Sequence, residues 1–239
     1  GGIILDQLKK LGASCDWDRN RFTMDNDFQN SVINAFVKMY EMGYIYKGER
    51  LVNWDPHFKT AISDLEVENI EVDGYFWHIK YPLKNEENYD YIEQDENGKI
   101  SFKDNRNYIS IATTRPETML GDGAIAVHPD DKRYKNIIGK EVIIPIANRA
   151  IPIIADEYPD PNFGSGAVKI TGAHDFNDYS VAKKHKLDFF KLMDESACLL
   201  NEDFIPKKYR GLERFKAREI LVEELDKAGF LLKIEQKKI

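Results

Sequence analysis

The sequence predicts an α+β fold in which a β-barrel-like mixed sheet is flanked by helices. Residues 1–48 and a segment near the C-terminus show the one-sided apolar periodicity of helices, whereas the middle third contains short alternating runs. The turns between these runs leave little room for crossover helices, which favours a compact barrel-like sheet over a doubly wound fold. We therefore predict a helical flank at 1–68, a β-rich core at 69–195 and a helical return segment at 196–239.

The first long helix is predicted after Asp25, a residue type that caps helix N-termini, and is expected to stop at Gly43. Its apolar stripe runs from Phe28 through Val32, Ala35, Phe36, Met39 and Tyr40. A second helix that should end at Gly229 carries the stripe Ala217, Ile220, Leu221, Leu225 and Ala228. We interpret both stripes as core packing.

Six runs in the middle are predicted to be strands. In the clearest, 75–81, the residues Tyr75, Trp77, Ile79 and Tyr81 share one face. The others are 108–112, 124–127, 142–146, 150–154 and 166–170. The acidic stretch 85–107 is expected to be a solvated hairpin or loop around an Asn97-Gly98 turn.

Composition sets the broad class of protein. A chain of 239 residues with 42% hydrophobic and 31% charged residues suits one large globular domain, or one domain with a helical lobe. No apolar run approaches the roughly 18 residues of a membrane span. Cys15 and Cys198 have no Cys or His partner at ligand spacing, so we expect free thiols and a cytoplasmic protein. The net charge of -7 argues against nucleic-acid binding over the whole surface, but not against a local basic face.

Two polar segments, 113–118 and 169–178, directly follow predicted strands. Scaffolds often present ligand-binding groups where strands end. If the two ends lie side by side, they form a small pocket suited to a hydroxylated, amine-bearing substrate. Lys169 and Thr171 are two apart and therefore share one face of their strand.

Asp175 and Asp178 stand three apart at the predicted start of a helix, which leaves two interpretations open. They are typical of helix capping, and one of them is also suited to hold an ammonium group as an ionised acceptor. The sequence contains no nucleophile elbow, phosphate loop or zinc-protease motif, and we predict no metal site.

Three longer stretches carry a specific resemblance: 112–122, 124–131 and 164–179. They resemble the editing domain of valyl-tRNA synthetases, a large insertion in the catalytic domain of class I aminoacyl-tRNA synthetases. The flanks 16–25, 48–54 and 61–68 resemble the stretch leading into that insertion. Thr114-Arg115-Pro116-Glu117-Thr118 favours the valyl branch, because isoleucyl enzymes are expected to show Thr-Pro-Trp-Thr and leucyl enzymes Asp in place of Glu117. An isoleucyl or leucyl editing domain is the alternative.

The resemblance implies a hydrolytic pocket for mischarged threonyl-tRNA. Asp178 matches the aspartate that holds the α-amino group, and water attacks the ester with help from the vicinal ribose hydroxyl. The implied catalytic residues are Asp178, Lys169 and Asp175. The implied substrate-binding residues are Thr113, Thr114, Arg115, Glu117, Thr118, Thr171 and His174. Such a site is needed because an apolar synthetic pocket rejects an added hydroxyl only about a hundredfold, a figure that comes from the valyl enzyme itself.

The resemblance also implies partners and cofactors. The partners are the 3′ end of tRNA(Val) carrying threonine and the rest of a synthetase chain, with no membrane and no DNA. The editing domain needs no cofactor, whereas the parent enzyme uses ATP and Mg to ligate valine. Gly172 stands where proline is usual, and we expect it to loosen the backbone. The functional alternatives are a tRNA-docking module without chemistry and a free-standing deacylase.

Overall fold

The computed structural model describes residues 2–94 and 99–239, so the predicted Asn97-Gly98 turn lies outside the described residues. The helices are α1 (Gly2–Lys10), α2 (Asn26–Glu41), α3 (Phe176–Lys184) and α4 (Arg214–Lys227). The strands are β1 (Asn53–Asp55), β2 (Thr60–Ile62), β3 (Asp73–Pro82), β4 (Tyr89–Gln94), β5 (Ile100–Arg106), β6 (Tyr108–Thr113), β7 (Ala124–Val127), β8 (Glu141–Ile144), β9 (Arg149–Ala155), β10 (Ala167–Ile170) and β11 (Leu231–Lys238). Within the described residues, no helix has the length and apolar character needed to span a membrane.

The chain forms two compact units, Gly1–Arg50 and Leu51–Ile239. The domain boundaries predicted after residues 68 and 195 stay predictions. In the first unit, α2 begins after Asp25 as predicted, but its apolar stripe is exposed: Val32 is 56% and Phe36 is 54% accessible. The prediction of core packing is therefore wrong for α2. The reason is that no described residue of this unit is buried, so the unit has no core of its own.

All six predicted strands are present in the second unit, which confirms the mixed α+β class. One antiparallel sheet has the order β11-β3-β6, and a second has the order β10-β7-β9-β8 with β7 and β9 parallel. The pairs β1-β2 and β4-β5 form two-stranded sheets, and β4-β5 is the hairpin expected in the acidic stretch.

The predicted barrel does not close among the described strands, which form four separate sheets. The two larger sheets nevertheless approach each other at two places. One isolated bridge, Leu83–Val142, joins the end of β3 to β8, and β10 lies close to β6. A single bridge is too little to continue the backbone ladder, so the sheets share a core without becoming one barrel.

That core contains the inward faces of both large sheets and one face of α4. Its members are buried aliphatic and aromatic side chains, among them Ile79, Tyr81, Ile109, Ile111, Ile125, Val127, Ile153, Leu221 and Leu225. The stripe of α4 is therefore core packing, as predicted, except for Ala228, which is exposed at the C-cap. Strand β11 is not predicted by the sequence analysis; it pairs with β3 while nearly all of its side chains remain exposed. Both cysteines are free thiols.

Candidate active site

The two polar strand ends lie side by side, as the sequence predicts. The Arg115 guanidinium donates a hydrogen bond from Nη1 to the carbonyl oxygen of His174, 3.0 Å away. Lys169 donates from Nζ to the Thr118 hydroxyl at 2.8 Å. The proximity of β6 and β10 at the edges of their sheets places both segments together.

The first segment is a tight turn fastened by its own threonines. Pro116 begins a 3-10 segment that runs to Gly121. The Thr113 hydroxyl accepts from the Arg115 N–H at 3.1 Å, and the Thr118 hydroxyl donates to the Arg115 carbonyl at 2.8 Å. Thr114 lies between these two anchors and is half-buried. The turn therefore presents Arg115 from a fixed backbone.

Asp122 is a buried carboxylate that the sequence analysis does not single out. It connects the side chains that we call the floor of the site, which are those of Thr118, Asp122, Lys169 and Thr171. Asp122 is fully buried and accepts hydrogen bonds from the Thr171 hydroxyl at 2.6 Å, the Tyr81 hydroxyl at 2.8 Å and Lys169 Nζ at 3.2 Å. The Lys169 ammonium also contacts the Thr171 hydroxyl. Burial raises the pKa of Asp122, and the nearby Lys169 charge opposes that rise. Asp122 thus fixes where Lys169 and Thr171 point.

The second segment ends on α3, and its two aspartates have different roles. Asp175 is the N-cap, and its carboxylate accepts from the backbone N–H groups of Asn177 at 2.8 Å and Asp178 at 3.1 Å. Asp178 lies in the first turn, is only 6% exposed, and accepts from the Thr171 N–H at 2.8 Å. Burial raises the pKa of Asp178 to about 6. The structure therefore assigns capping to Asp175 and leaves Asp178 as the desolvated acceptor.

His174 contributes to the site through its backbone, whereas its ring faces another segment. Nε2 of the ring accepts from the Leu192 N–H at 2.8 Å. Burial, with the charges of Arg115 and Lys169 adding to it, lowers the pKa of His174 to about 4. The imidazole is therefore neutral at physiological pH, and its hydrogen bond fixes the segment around Leu192.

Glu117 is fully buried and pairs with a remote residue, a pairing that the sequence does not predict. Its carboxylate accepts two hydrogen bonds from Arg218 of α4, at 2.7 and 2.8 Å. Arg115 Nε lies 3.8 Å from the same carboxylate. Glu117 thus connects the 3-10 segment Pro116–Gly121 to α4.

Replacing Arg218 by Met is expected to lower the free energy of unfolding by about 2–3 kcal/mol, because it leaves a buried carboxylate with only a distant cation. Urea unfolding measures this loss. Arg214→Met on the same helix is the matched control, since its contact with Glu213 is long, 3.9 Å. Equal losses in the two variants would contradict the assignment.

Gly172 allows close packing at the link between β10 and α3. A Cβ atom at Gly172 would lie 2.6 Å from Cβ of Ala182 and 3.1 Å from the ring of Phe189. The space that a side chain at Gly172 would occupy is already filled, whereas the loosening expected from the sequence stays a prediction.

Gly172→Ala is accordingly expected to destabilise the fold by about 1–3 kcal/mol through overpacking. Ala182→Gly removes the closest atom, so the double variant should regain part of the loss in thermal unfolding. A Gly172→Ala variant as stable as the parent chain would show that this contact is not restrictive.

A cavity of 590 Å³ adjoins the strand ends. Ala112 and Val168, the chain neighbours of Thr113 and Lys169, contribute to its wall. Tyr158 also lines it, and the pKa of Tyr158 is raised by burial and then by the charges of Asp178 and Asp175. The cavity thus adjoins the candidate site through chain neighbours and Tyr158, and none of the ten candidate site residues lines it. No group of three or more potential metal-ligating side chains occurs within 2–94 and 99–239.

The family model and the curated relatives point to one family. The family model described as tRNA synthetases class I (I, L, M and V) matches residues 2–225. Curated relatives include the valine--tRNA ligases of Ruegeria pomeroyi, 52% identical over 96% of this chain and 27% of the relative, and Caulobacter vibrioides, 52% identical over 100% and 26%. The chain thus spans about a quarter of the length of these relatives. A solved structure, "The crystal structure of GlLeuRS-CP1", covers 66% of this chain and 96% of its own at 13% identity, with a TM-score of 0.46.

Proposed function

The chain belongs to the class I tRNA synthetases, and from this premise we propose that it is the editing domain of a valyl enzyme, hydrolysing mischarged threonyl-tRNA(Val). One observation carries the proposal: Arg115 donates a hydrogen bond to the His174 carbonyl just before α3, and Asp178 in the first turn of α3 is a buried acceptor. Similarity to valine--tRNA ligases over the whole chain supports the valyl branch.

The residues of the site suit ester hydrolysis by a positioned water. Asp178 in its ionised form binds the α-ammonium group of the threonyl ester, a charge-assisted contact strengthened by burial. The water oxygen attacks the ester carbonyl, the bond to the ribose oxygen breaks, and the ribose oxygen takes up a proton. The vicinal ribose hydroxyl helps to orient the water. The products are free threonine and tRNA with an intact 3′ end.

The hydroxyl-rich floor offers a reason for selectivity. Thr118, Thr171 and Lys169 place hydroxyl and ammonium groups within hydrogen-bond distance of one another. The threonine hydroxyl can add a hydrogen bond to this network, worth about 0.5–1.5 kcal/mol, whereas the methyl group of valine adds none. This is how the site spares the cognate product.

The remaining parts of the proposal concern what lies outside this chain. The partners are the 3′ end of tRNA(Val) carrying threonine and the rest of the synthetase. The editing reaction needs no cofactor, and ATP and Mg serve valine ligation at a separate site in the parent enzyme.

One observation favours a second candidate, a tRNA-docking module without chemistry. Lys169, Thr171 and Asp122 already satisfy one another, so the floor could be purely structural. A deacylation assay on threonyl-tRNA(Val), run with a binding assay on the same tRNA, separates the two. Release of threonine above the uncatalysed rate supports editing, and binding without release supports docking.

A further inference from the structure

One wall of the cavity is a loop, 158–165, that is held from outside by a neighbouring segment. Tyr158 at the start of the loop is anchored by the Asp156 carboxylate, which accepts from its N–H at 3.0 Å. Further along, Arg133 Nη2 donates to the Pro161 carbonyl at 2.5 Å. The Tyr134 hydroxyl donates to the Ser165 carbonyl at 2.6 Å.

Arg133 is itself fixed by a buried partner. The Asp131 carboxylate, with its side chain only 4% exposed, accepts from Arg133 Nε at 2.9 Å and Nη2 at 2.6 Å. A bidentate pair of this kind locks the plane of the guanidinium. The direction of the bond to Pro161 is therefore set by Asp131.

The end of the loop is shaped to admit this guanidinium. Gly166 has a φ of +74°, and a Cβ atom there would overlap with Arg133 Nη2. A side chain at this position would be strained and would also displace Arg133. Gly166 and Arg133 thus form one packing unit.

The loop presents aromatic side chains at the cavity. Tyr158 is 41% and Phe163 is 59% exposed, and the ring of Phe163 lies 5.1 Å from Lys237 Nζ on β11. Within the loop, backbone hydrogen bonds join Phe163 to Asp160 and Gly166 to Phe163, which are local turns. Local turns do not fix the distance between the loop and β11, so that distance depends on the outside contacts.

We propose that Arg133, held by Asp131 and assisted by Tyr134, is a positioning residue that fixes the loop wall of the cavity and thereby its affinity for the tRNA 3′ end. This inference rests on the proposed function for its substrate. The positioning of the loop by Arg133 is independent of the proposed function, and hydrogen exchange can measure it directly.

The test compares Arg133→Met and Tyr134→Phe with Lys132→Met, an exposed neighbour, in the full chain. In both test variants the amides of 160–166 should exchange faster, while the other amides keep their rates. For threonyl-tRNA(Val) hydrolysis, Arg133→Met should raise KM about tenfold and leave kcat within about threefold, because a displaced wall weakens binding. Tyr134→Phe should show a smaller rise, and Lys132→Met none.

Gly166→Ala gives an independent arm. If it acts by displacing Arg133, its effect on KM should be smaller in an Arg133→Met background than in the parent chain. Additive effects would overturn the shared mechanism.

Several outcomes would overturn the proposal itself. Unchanged loop exchange in both Arg133→Met and Tyr134→Phe would do so, as would a loss of kcat at unchanged KM, which indicates a smaller folded fraction. If Arg133→Met fails to fold, the loop exchange and KM of Tyr134→Phe test the proposal instead, because this substitution removes one hydroxyl and keeps the ring. If the parent chain does not hydrolyse threonyl-tRNA(Val), the proposed function fails, and the exchange experiment alone judges the loop.

Discussion

Replacing Asp178 by Asn is expected to abolish threonine release and, at the same time, to stabilise the fold near neutral pH. The amide keeps the shape and still accepts from the Thr171 N–H, so the turn is preserved. It carries no negative charge, so the contact to the α-ammonium group is lost. Loss of a buried, charge-assisted contact in the transition state is worth about 3–5 kcal/mol, or more than a hundredfold in kcat/KM.

The stabilisation follows from the direction of the pKa shift. Burial raises the pKa of Asp178 from 3.8 to about 6 in the folded chain. Above pH 6 the carboxylate is ionised in both folded and unfolded chains, and its burial costs about 2–3 kcal/mol. Between pH 6 and about 4 the folded chain binds the proton first, so this cost disappears as the pH falls. Asn removes the cost at every pH.

Urea unfolding of the parent chain and Asp178→Asn at a series of pH values measures this difference. The variant should be more stable above pH 6, and the two stabilities should converge towards pH 4, the window set by the shift. The activity of the parent chain should rise with pH through the same range, because the ionised form binds the substrate. A variant that is less stable at neutral pH, or that keeps full activity, would contradict the role of Asp178.

Replacing Asp122 by Ala is expected to cause the largest loss of stability among single substitutions in the site. The change leaves the Lys169 ammonium and the Tyr81 and Thr171 hydroxyls without their common buried acceptor. Breaking a buried ion pair by removing one partner costs about 3–5 kcal/mol. Urea unfolding should show that loss in full.

Asp130→Ala is the matched control, because Asp130 is an exposed aspartate close to Asp122 in the chain. This substitution should change the free energy of unfolding by no more than about 0.5 kcal/mol. Asp122→Asn should fall between the two, since the amide oxygen still accepts a hydrogen bond. If Asp122→Ala were as stable as Asp130→Ala, the buried network would not be holding the floor together.

Local patterns in the sequence predict much of this fold. Alternation with a buried face predicts β3, and the acidic cap predicts the start of α3, because both signals act within a few residues. Strand β11 escapes prediction because its charged side chains stay in solvent and only its backbone pairs with β3. The stripe of α2 is misread because amphipathic periodicity reports an apolar face without reporting what covers it.

The sequence predicts the residues of the candidate site that lie close together in the chain, but not their remote partners. Lys169, Thr171 and Asp178 can be proposed because they cluster along the chain. Their organising partners are remote: Asp122 lies 47 residues from Lys169, and Arg218 lies 101 residues from Glu117. No local pattern marks such partners, since a buried carboxylate after a turn looks like an ordinary turn residue. The resemblance to editing domains supplies the substrate, which the residues alone do not name.

The most direct measurement of the central claim is the ratio of hydrolysis rates for threonyl-tRNA(Val) and valyl-tRNA(Val) with one preparation of this chain. The site described here should release threonine rapidly and leave the valyl ester at its uncatalysed rate. Equal rates for both esters, or no release of either by a chain that binds the tRNA, would contradict it.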